Sequence, residues 1–284
     1  MTRPCISPKR DMDDARFKKL LDLFDLSWQG CRRVRKGVKK RLSRHMHEIG
    51  CRDVDDYLDR IKAHPPILQE TQRLMTVSVS SFFRDRLLWK LLEERLIPGF
   101  VGRNIDCVHV WSAGCALGQE VYSFKILWSL AAKKSGSLPP LHILATDLNP
   151  EYVVKAVEGI FSSRAIRAVP PEILESSFRG FENHYAVSDH LKTDISWEIS
   201  DLTNPPRARH RFQIIFIRNS LLTYYKQEII EAVFPRIVDS LAHEGYLIIG
   251  ARENLPHAPH HYFLKMVHPC VFQFNPASFG SPMH

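Results

Sequence analysis

The sequence predicts an α/β chain in which an all-helical region precedes a mostly parallel sheet with helices on both faces. Three observations carry this. From about Asp13 to about Leu92 every periodic segment is helical, with apolar residues three and four places apart. After Gly102, short apolar runs alternate with helical stretches, the pattern of parallel strands joined by crossover helices. A length of 284 residues is long for one core and comfortable for two unequal domains.

In the first region the clearest helix is expected from about Cys31 to Ile49. Val34, Val38, Leu42, Met46 and Ile49 form one apolar stripe, and Gly50 is a natural stop. The faces beside that stripe carry Arg32, Arg33, Arg35, Lys36, Lys39, Lys40, Arg41 and Arg44, with no acid before Glu48. Asp53 is placed to cap a next helix with Val54, Tyr57, Leu58 and Ile61 facing inward. Pro65-Pro66 ends it, and another helix follows over about Ile67–Met75. Beyond Gly102, Cys107–Trp111 reads as a strand, about Gln119–Lys133 as a helix, Leu141–Thr146 as a strand and about Glu151–Glu158 as a helix. A weaker stretch leads to a strand at Ile195–Ile199. Phe212–Ile217 is a continuous apolar run, the mark of a central buried strand. Tyr225–Leu241 reads as a helix and Gly245–Ile249 as a strand, and the tail, about Phe263–Phe274, holds one or two more.

The composition, 44% hydrophobic and 25% charged, is ordinary for a soluble globular protein. No apolar run approaches the roughly 18 residues that cross a bilayer, and MTRPCISPKRDMDD lacks the apolar core of a secretory signal. Cys5, Cys31, Cys51, Cys107, Cys115 and Cys270 are scattered without a CxxC pair, which fits reduced thiols in a cytoplasmic protein. The net charge of +8 is uneven: residues 1–75 hold 18 Lys and Arg against 11 Asp and Glu. Such a local surplus suits an acidic partner, whether nucleic acid, lipid headgroups or an acidic protein surface.

The segment from Val110 to Glu120 carries the chemistry. A strand runs into Ser112-Ala113-Gly114-Cys115-Ala116-Leu117-Gly118, and a helix follows. Glycines let a backbone turn sharply and approach a ligand, and the crevice beyond strand ends is where doubly wound sheets bind nucleotides. The G-x-x-x-G spacing differs from the G-x-G-x-x-G that cradles a pyrophosphate. Glu120 would repel a phosphate but suits a cationic ligand with hydroxyls, such as S-adenosylmethionine. A tight strand–helix turn without a ligand is the competing reading. Asp147 ends the next strand, where an acid binds ribose hydroxyls or merely caps the helix that starts at Pro150. Asp201 follows a third strand, within reach of an adenine amino group, or is an ordinary loop carboxylate. Three acids at three successive strand ends are more specific than any one of them.

Taken together, these segments resemble the CheR family of chemotaxis-receptor methyltransferases, which are protein-glutamate O-methyltransferases. VWSAGCALGQEVYS looks like the family's cofactor motif, and SSFFRD at 80–85 looks like the segment joining its helical and catalytic domains. ATDLN at 145–149, IFIRNSLLTYY at 215–225 and GYLIIGARENL at 245–255 match further family segments in the same order. The resemblance implies a Rossmann-like class I S-adenosylmethionine-dependent methyltransferase domain at 96–284. It further implies a small β-subdomain at about 178–197 and an all-helical domain at 1–95. It places Arg84 near the reactive end of the cofactor and the substrate carboxylate, Glu120 at the cofactor's amino-acid end, and Asp147 at the ribose. Asp201 and Leu202 flank the adenine; Gly114, Arg218, Asn219 and Ser220 line the pocket. Ser78 and Ser80 stand where the family has Asn and Thr, and Gln119 replaces an acid. The family's tyrosine near the methyl group aligns with Thr223 on a gap-free reading, with Tyr224 one place later, so Arg84, Thr223 and Tyr224 are the catalytic candidates.

Methyl transfer to a carboxylate needs no strong base, because a glutamate is already ionised at neutral pH. Alignment and exclusion of water are the requirements. The resemblance makes Arg32, Arg33, Arg35, Lys36, Lys39, Lys40 and Arg44 the docking face for acidic, methylatable helices of a chemotaxis-type receptor. A solvated helix face is the bland alternative. The implied protein is a cytoplasmic monomer recruited to membrane receptors, without nucleic acid or membrane insertion; in some family members the β-subdomain docks a receptor tether, but the stretch at about Phe178–Trp197 is short and holds only Gly180, so use of a tether peptide is not expected. Two rivals are a nucleic-acid methyltransferase and a module that senses S-adenosylmethionine without turnover. For the first, NPPR at 204–207 looks like an amino-methylase motif, but it precedes the Phe212 strand and Arg207 replaces the aromatic. His257, His260 and His261 lack a completing ligand set, and no metal is expected.

Overall fold

A computed structural model describes residues 12–276, apart from 79, 104, 137 and 206–210. The NPPR segment therefore lies partly outside the described residues. The chain divides into two compact units, Met1–Val77 with Tyr224–Lys226, and Ser78–Thr223 with Gln227–His284.

The first unit consists of helices α1 (Asp14–Leu23), α2 (Trp28–Cys31), α3 (Arg35–Glu48), α4 (Val54–Ala63) and α5 (Pro65–Met75). Asp13 caps α1 by accepting from the Arg16 amide at 2.7 Å, and Asp53 caps α4 by accepting from the Asp56 amide at 2.9 Å. Phe17, Leu20, Val38, Leu42, Tyr57 and Ile61 form the core. A buried polar chain crosses it: His45 Nδ1 to the Tyr57 hydroxyl and that hydroxyl to Thr71 Oγ1, each at 2.7 Å. The single helix expected over 31–49 is broken at Arg32–Val34. Arg32 (φ −55°, ψ −32°) and Val34 (φ −102°, ψ −4°) keep right-handed dihedrals, so the apolar spacing survives the interruption.

The second unit opens with α6 (Arg86–Leu91), then β1 (Val108–Ala113), α7 (Gln119–Ser135), β2 (Leu141–Asp147) and α8 (Pro150–Glu158). β3 (Ile160–Ser162), α9 (Ser163–Ile166), α10 (Pro171–Ser177), β4 (Phe178–Phe181), β5 (His184–Val187), β6 (Ile195–Ile199) and β7 (Phe212–Phe216) follow. The chain continues through α11 (Leu221–Tyr224), α12 (Gln227–Val238), β8 (Leu241–Ile248), β9 (Leu264–His268) and β10 (Val271–Phe274). The main sheet has seven strands in the order β6-β2-β1-β7-β8-β10-β9. β6, β2, β1, β7 and β8 run parallel, and β10 is antiparallel to both its neighbours. This is the Rossmann-like, doubly wound architecture the sequence implied. Val108, Val110, Ile143, Ile214, Ile215 and Leu247 are buried in its centre.

Two boundaries differ from expectation. The boundary expected at 95/96 falls inside the second unit, because residues 78–95 pack with the sheet. Phe82 meets Phe161 and Phe178 edge-on at 4.9 and 5.2 Å, and Trp89 stacks on Phe216 at 6.1 Å. The second sheet, with the order β3-β5-β4, begins at Ile160, whereas Trp197 belongs to the main sheet. The β-subdomain therefore spans 160–187 instead of about 178–197. Among the described residues no helix is long and apolar enough to cross a membrane.

Candidate functional site

Strand order reverses at β1, whose neighbours are β2 on one side and β7 on the other. The crevice beyond the carboxyl ends of such strands is the favoured ligand site. The turn leaving β1 fits it closely. Gly114 has φ +87°, and a Cβ there would stand 2.8 Å from the Ser220 Cβ. Dihedral and close approach both require glycine. The amides of Gly114 and Cys115 donate to the Thr146 carbonyl, each at 2.9 Å, which locks the turn to β2. Ser220 Oγ returns a bond to the Ala113 carbonyl at 3.1 Å, and Leu202 packs beside Gly114. Gly118, with φ +84°, starts α7.

Asp147 is not the cap of α8. That role belongs to Asn149, which accepts from the Glu151 amide at 3.0 Å with Pro150 in the first turn. Asp147 accepts instead from the Ala116 amide at 2.8 Å and the Asn149 amide at 2.9 Å. Burial pushes its carboxyl above the ordinary range, partly opposed by these amides. Asp201 accepts from the Thr203 amide at 2.9 Å, which fixes its turn.

Arg218 sits at the centre of the site, with its side chain only 3% exposed. Its Nη1 donates to Glu120 Oε2 at 2.9 Å, and its Nη2 donates to Asp85 Oδ2 at 2.5 Å and to the Arg84 carbonyl at 3.2 Å. Glu120 Oε1 also accepts from Ser112 Oγ at 2.9 Å. Burial pulls the Arg218 guanidinium down, but Glu120 and Asp85 outweigh it and the net shift is upward. The FFRD segment is held to meet this cation. The Phe83 amide donates to Ser123 Oγ at 3.1 Å, Phe83 packs on Trp89, and Trp89 Nε1 donates to the Arg84 carbonyl at 2.6 Å. Phe83 and Asp85 both take left-handed backbone angles (φ +50° and +65°), strain of a kind found where a segment is held for function. Ser78 and Ser80, just before it, are part-buried.

Behind Arg218, the Thr223 hydroxyl donates to Glu253, which also accepts from the Asn219 and Gly250 amides. The sequence left Thr223 and Tyr224 as alternatives, and they part company here. Thr223 belongs to the sheet unit, whereas Tyr224 packs on the core of the helical unit and its carbonyl accepts from the Ser27 amide. The structure adds Asp85, Ser112 and Glu253 to the site.

The docking candidates also divide. Arg35 and Lys39 both pair with Asp14, at 3.2 and 2.5 Å, and Arg41 donates to the Leu74 and Thr76 carbonyls at the C-terminal end of α5. Arg32, Arg33, Lys36, Lys40 and Arg44 are exposed and have no carboxylate partner among the described residues. His257 pairs with Glu231 at 3.8 Å, and among the described residues no three His, Cys, Asp or Glu side chains group to hold a metal.

The residues present fit S-adenosylmethionine. Asp85 and Glu120 pair with the buried Arg218, Glu253 lies within its field, and Asp147 adds a further carboxyl at the neighbouring strand end, so the acids outnumber the cation and the crevice favours a cationic ligand over a phosphate. Glu120 and Asp147 each retain acceptor capacity, since an ionised carboxylate offers about four lone-pair sites. Among the described residues, Arg218 Nε and Gln119 Oε1 are buried without hydrogen-bond partners, unmet polar capacity beside the turn.

A family model described as CheR methyltransferase, SAM binding domain, matches residues 78–269. A chemotaxis protein methyltransferase of Listeria innocua is 30% identical over 200 residues, covering 70% of this chain and 74% of that protein. The chemotaxis protein methyltransferase Cher2 of Pseudomonas putida is 28% identical over 246 residues, covering 82% and 87%. An uncharacterized 104.1 kDa protein of Rhodobacter capsulatus is 29% identical over 220 residues; that match takes in 77% of this chain and only 23% of the relative.

Proposed function

Because the chain belongs to the CheR methyltransferase family and carries its S-adenosylmethionine-binding domain, we propose that it methylates glutamate side chains of a chemotaxis-type receptor. The products are glutamyl methyl esters and S-adenosylhomocysteine. The observation that carries the reading is the Glu120–Arg218–Asp85 chain. It ties the acid of the cofactor turn to the segment that holds Arg84.

When bound, S-adenosylmethionine supplies an electrophilic methyl group on a sulfonium. The chain's residues supply position. Glu120 accepts from the ammonium end and Asp147 from the ribose hydroxyls. Asp201 and Leu202 flank the adenine, and Arg218 fixes the orientation of Glu120. Arg84 orients the substrate carboxylate bidentately, which selects a planar anion over a hydroxyl. No residue need remove a proton, because the nucleophile is already ionised.

Lys36, Lys40 and Arg44 stand one turn apart on α3 and line a groove of about 780 Å³ with Met12, Met46 and Val54. A cationic rim over an apolar floor suits an acidic amphipathic helix, the form in which a methylatable receptor segment would arrive. The protein then works as a cytoplasmic monomer recruited to membrane-bound substrate.

Host membranes incubated with the protein and methyl-labelled S-adenosylmethionine test the reading. Label released as methanol by mild alkali supports glutamyl esters. Alkali-stable label, label on RNA, or cofactor binding without label transfer contradicts it.

A further inference from the structure

We infer that Glu253 is a positioning residue that sets the backbone of Asn219 and the hydroxyl of Thr223 at the rim of the cofactor crevice. The inference rests on that crevice being where the cofactor binds.

Glu253 touches neither Glu120 nor Asp147. Its carboxylate joins three points of the chain instead. Oε2 accepts from the Asn219 amide at 3.0 Å, just beyond β7, and from the Gly250 amide at 2.6 Å, just beyond β8. Oε1 accepts from the Thr223 hydroxyl in α11. Beyond the paired residues Phe216 and Ile248, the carboxylate links the two loops directly.

What is held matters to the site. Asn219 follows Arg218 directly and has φ +53°, a left-handed angle that costs energy in a non-glycine residue. Its amide bond to Glu253 offsets that cost and fixes where the backbone turns after Arg218. The approach is close: a Cβ on Gly250 would stand 2.7 Å from Glu253 Oε2 and 3.2 Å from Asn219 Nδ2. All three groups facing the carboxylate donate, which suits an acceptor-only side chain. Burial still pushes the Glu253 carboxyl upward, against the pull of Thr223, the two amides and Arg218. A buried acid of this kind, bonded on both oxygens yet remote from any leaving or accepting proton, acts through its neighbours.

Titration of the full chain with S-adenosylhomocysteine, alongside initial-rate kinetics, tests this. Glu253→Ala is expected to weaken binding about tenfold and to lower kcat, the size of losing charge-assisted hydrogen bonds. Glu253→Gln keeps one oxygen for the two amides, and the Thr223 hydroxyl can turn to accept from its amide group. Its affinity is expected within about threefold of wild type. Glu253→Ala with lowered thermal stability but unchanged affinity would show a purely structural role and overturn the proposal. Wild-type protein that fails to bind overturns the crevice reading as well, which separates the two failures. If Glu253→Ala does not fold, Thr223→Val and Gly250→Ala carry the test. Each disturbs one side of the carboxylate, and unchanged affinity in both folded variants overturns the proposal.

Discussion

Arg218 is the most enclosed charge in the site, and its neighbours decide what its removal costs. Asp85 is a third exposed and Glu120 about a seventh, with side-chain values of 33% and 15%. Arg218→Met leaves both acids without their cation and is expected to destabilise the fold by about 3 kcal/mol in urea titrations. Asp85→Asn removes only the more exposed partner and is expected to cost less than about 1 kcal/mol. Gly114→Ala combines a positive φ with the Ser220 contact. It is expected to cost about 1–3 kcal/mol, with partial recovery in the Gly114→Ala/Ser220→Gly double variant. Asp147 gives a pH signature. Its carboxyl is raised in the fold, so ionising it there is unfavourable, and its stabilising share is present at low pH and lost as pH rises through the folded value. The stability difference between Asp147→Asn and wild type should therefore move in the variant's favour from about pH 4 to about pH 7. A difference flat in pH would contradict the assignment. Glu120, Asp147 and Arg218 were legible as residues in family segments. Asp85 and Glu253 were not given roles, because those roles come from partners 133 and 34 positions away along the chain.

At the scale of elements, legibility followed burial. Ile195–Ile199 forms the strand expected, and the central run at Phe212 forms β7 because both its faces are covered. The stretch at 160–187 was only weak because β3, β4 and β5 are short and largely exposed, so no alternating apolar pattern marks them. The helical character of 78–95 hid its membership of the sheet unit, which is set by aromatic contacts and not by composition. For α3, the charge reversal Lys36→Glu/Lys40→Glu/Arg44→Glu removes exposed cations that have no carboxylate partner among the described residues. On the proposed function, it is expected to raise KM for a receptor-type protein substrate by tenfold or more at low salt, with kcat little changed and the gap narrowing as salt screens it. An unchanged KM would leave these residues as a solvated face. Arg35, Lys39 and Arg41 are poor choices for that experiment, because each supports the helical unit itself.

At the scale of the molecule, the two units divide the tasks by charge. The helical part carries nearly all of the +8 excess, and the sheet unit gathers acids around one cation. On the proposed function, the basic surplus would suit an acidic protein surface and the acids around Arg218 a cationic cofactor. On the proposed role of Arg84 in orienting the substrate carboxylate, Arg84→Ala is expected to abolish turnover while cofactor affinity survives. The β1–β2–β7 crevice is the proposed cofactor site, with Glu120 and Asp147 as its acceptors. Equilibrium binding of S-adenosylhomocysteine to wild type, Glu120→Ala and Asp147→Ala tests it most directly. The expected result is saturable one-site binding by the wild type, weakened about tenfold or more in each folded variant. Folded variants that bind as tightly as wild type would contradict it.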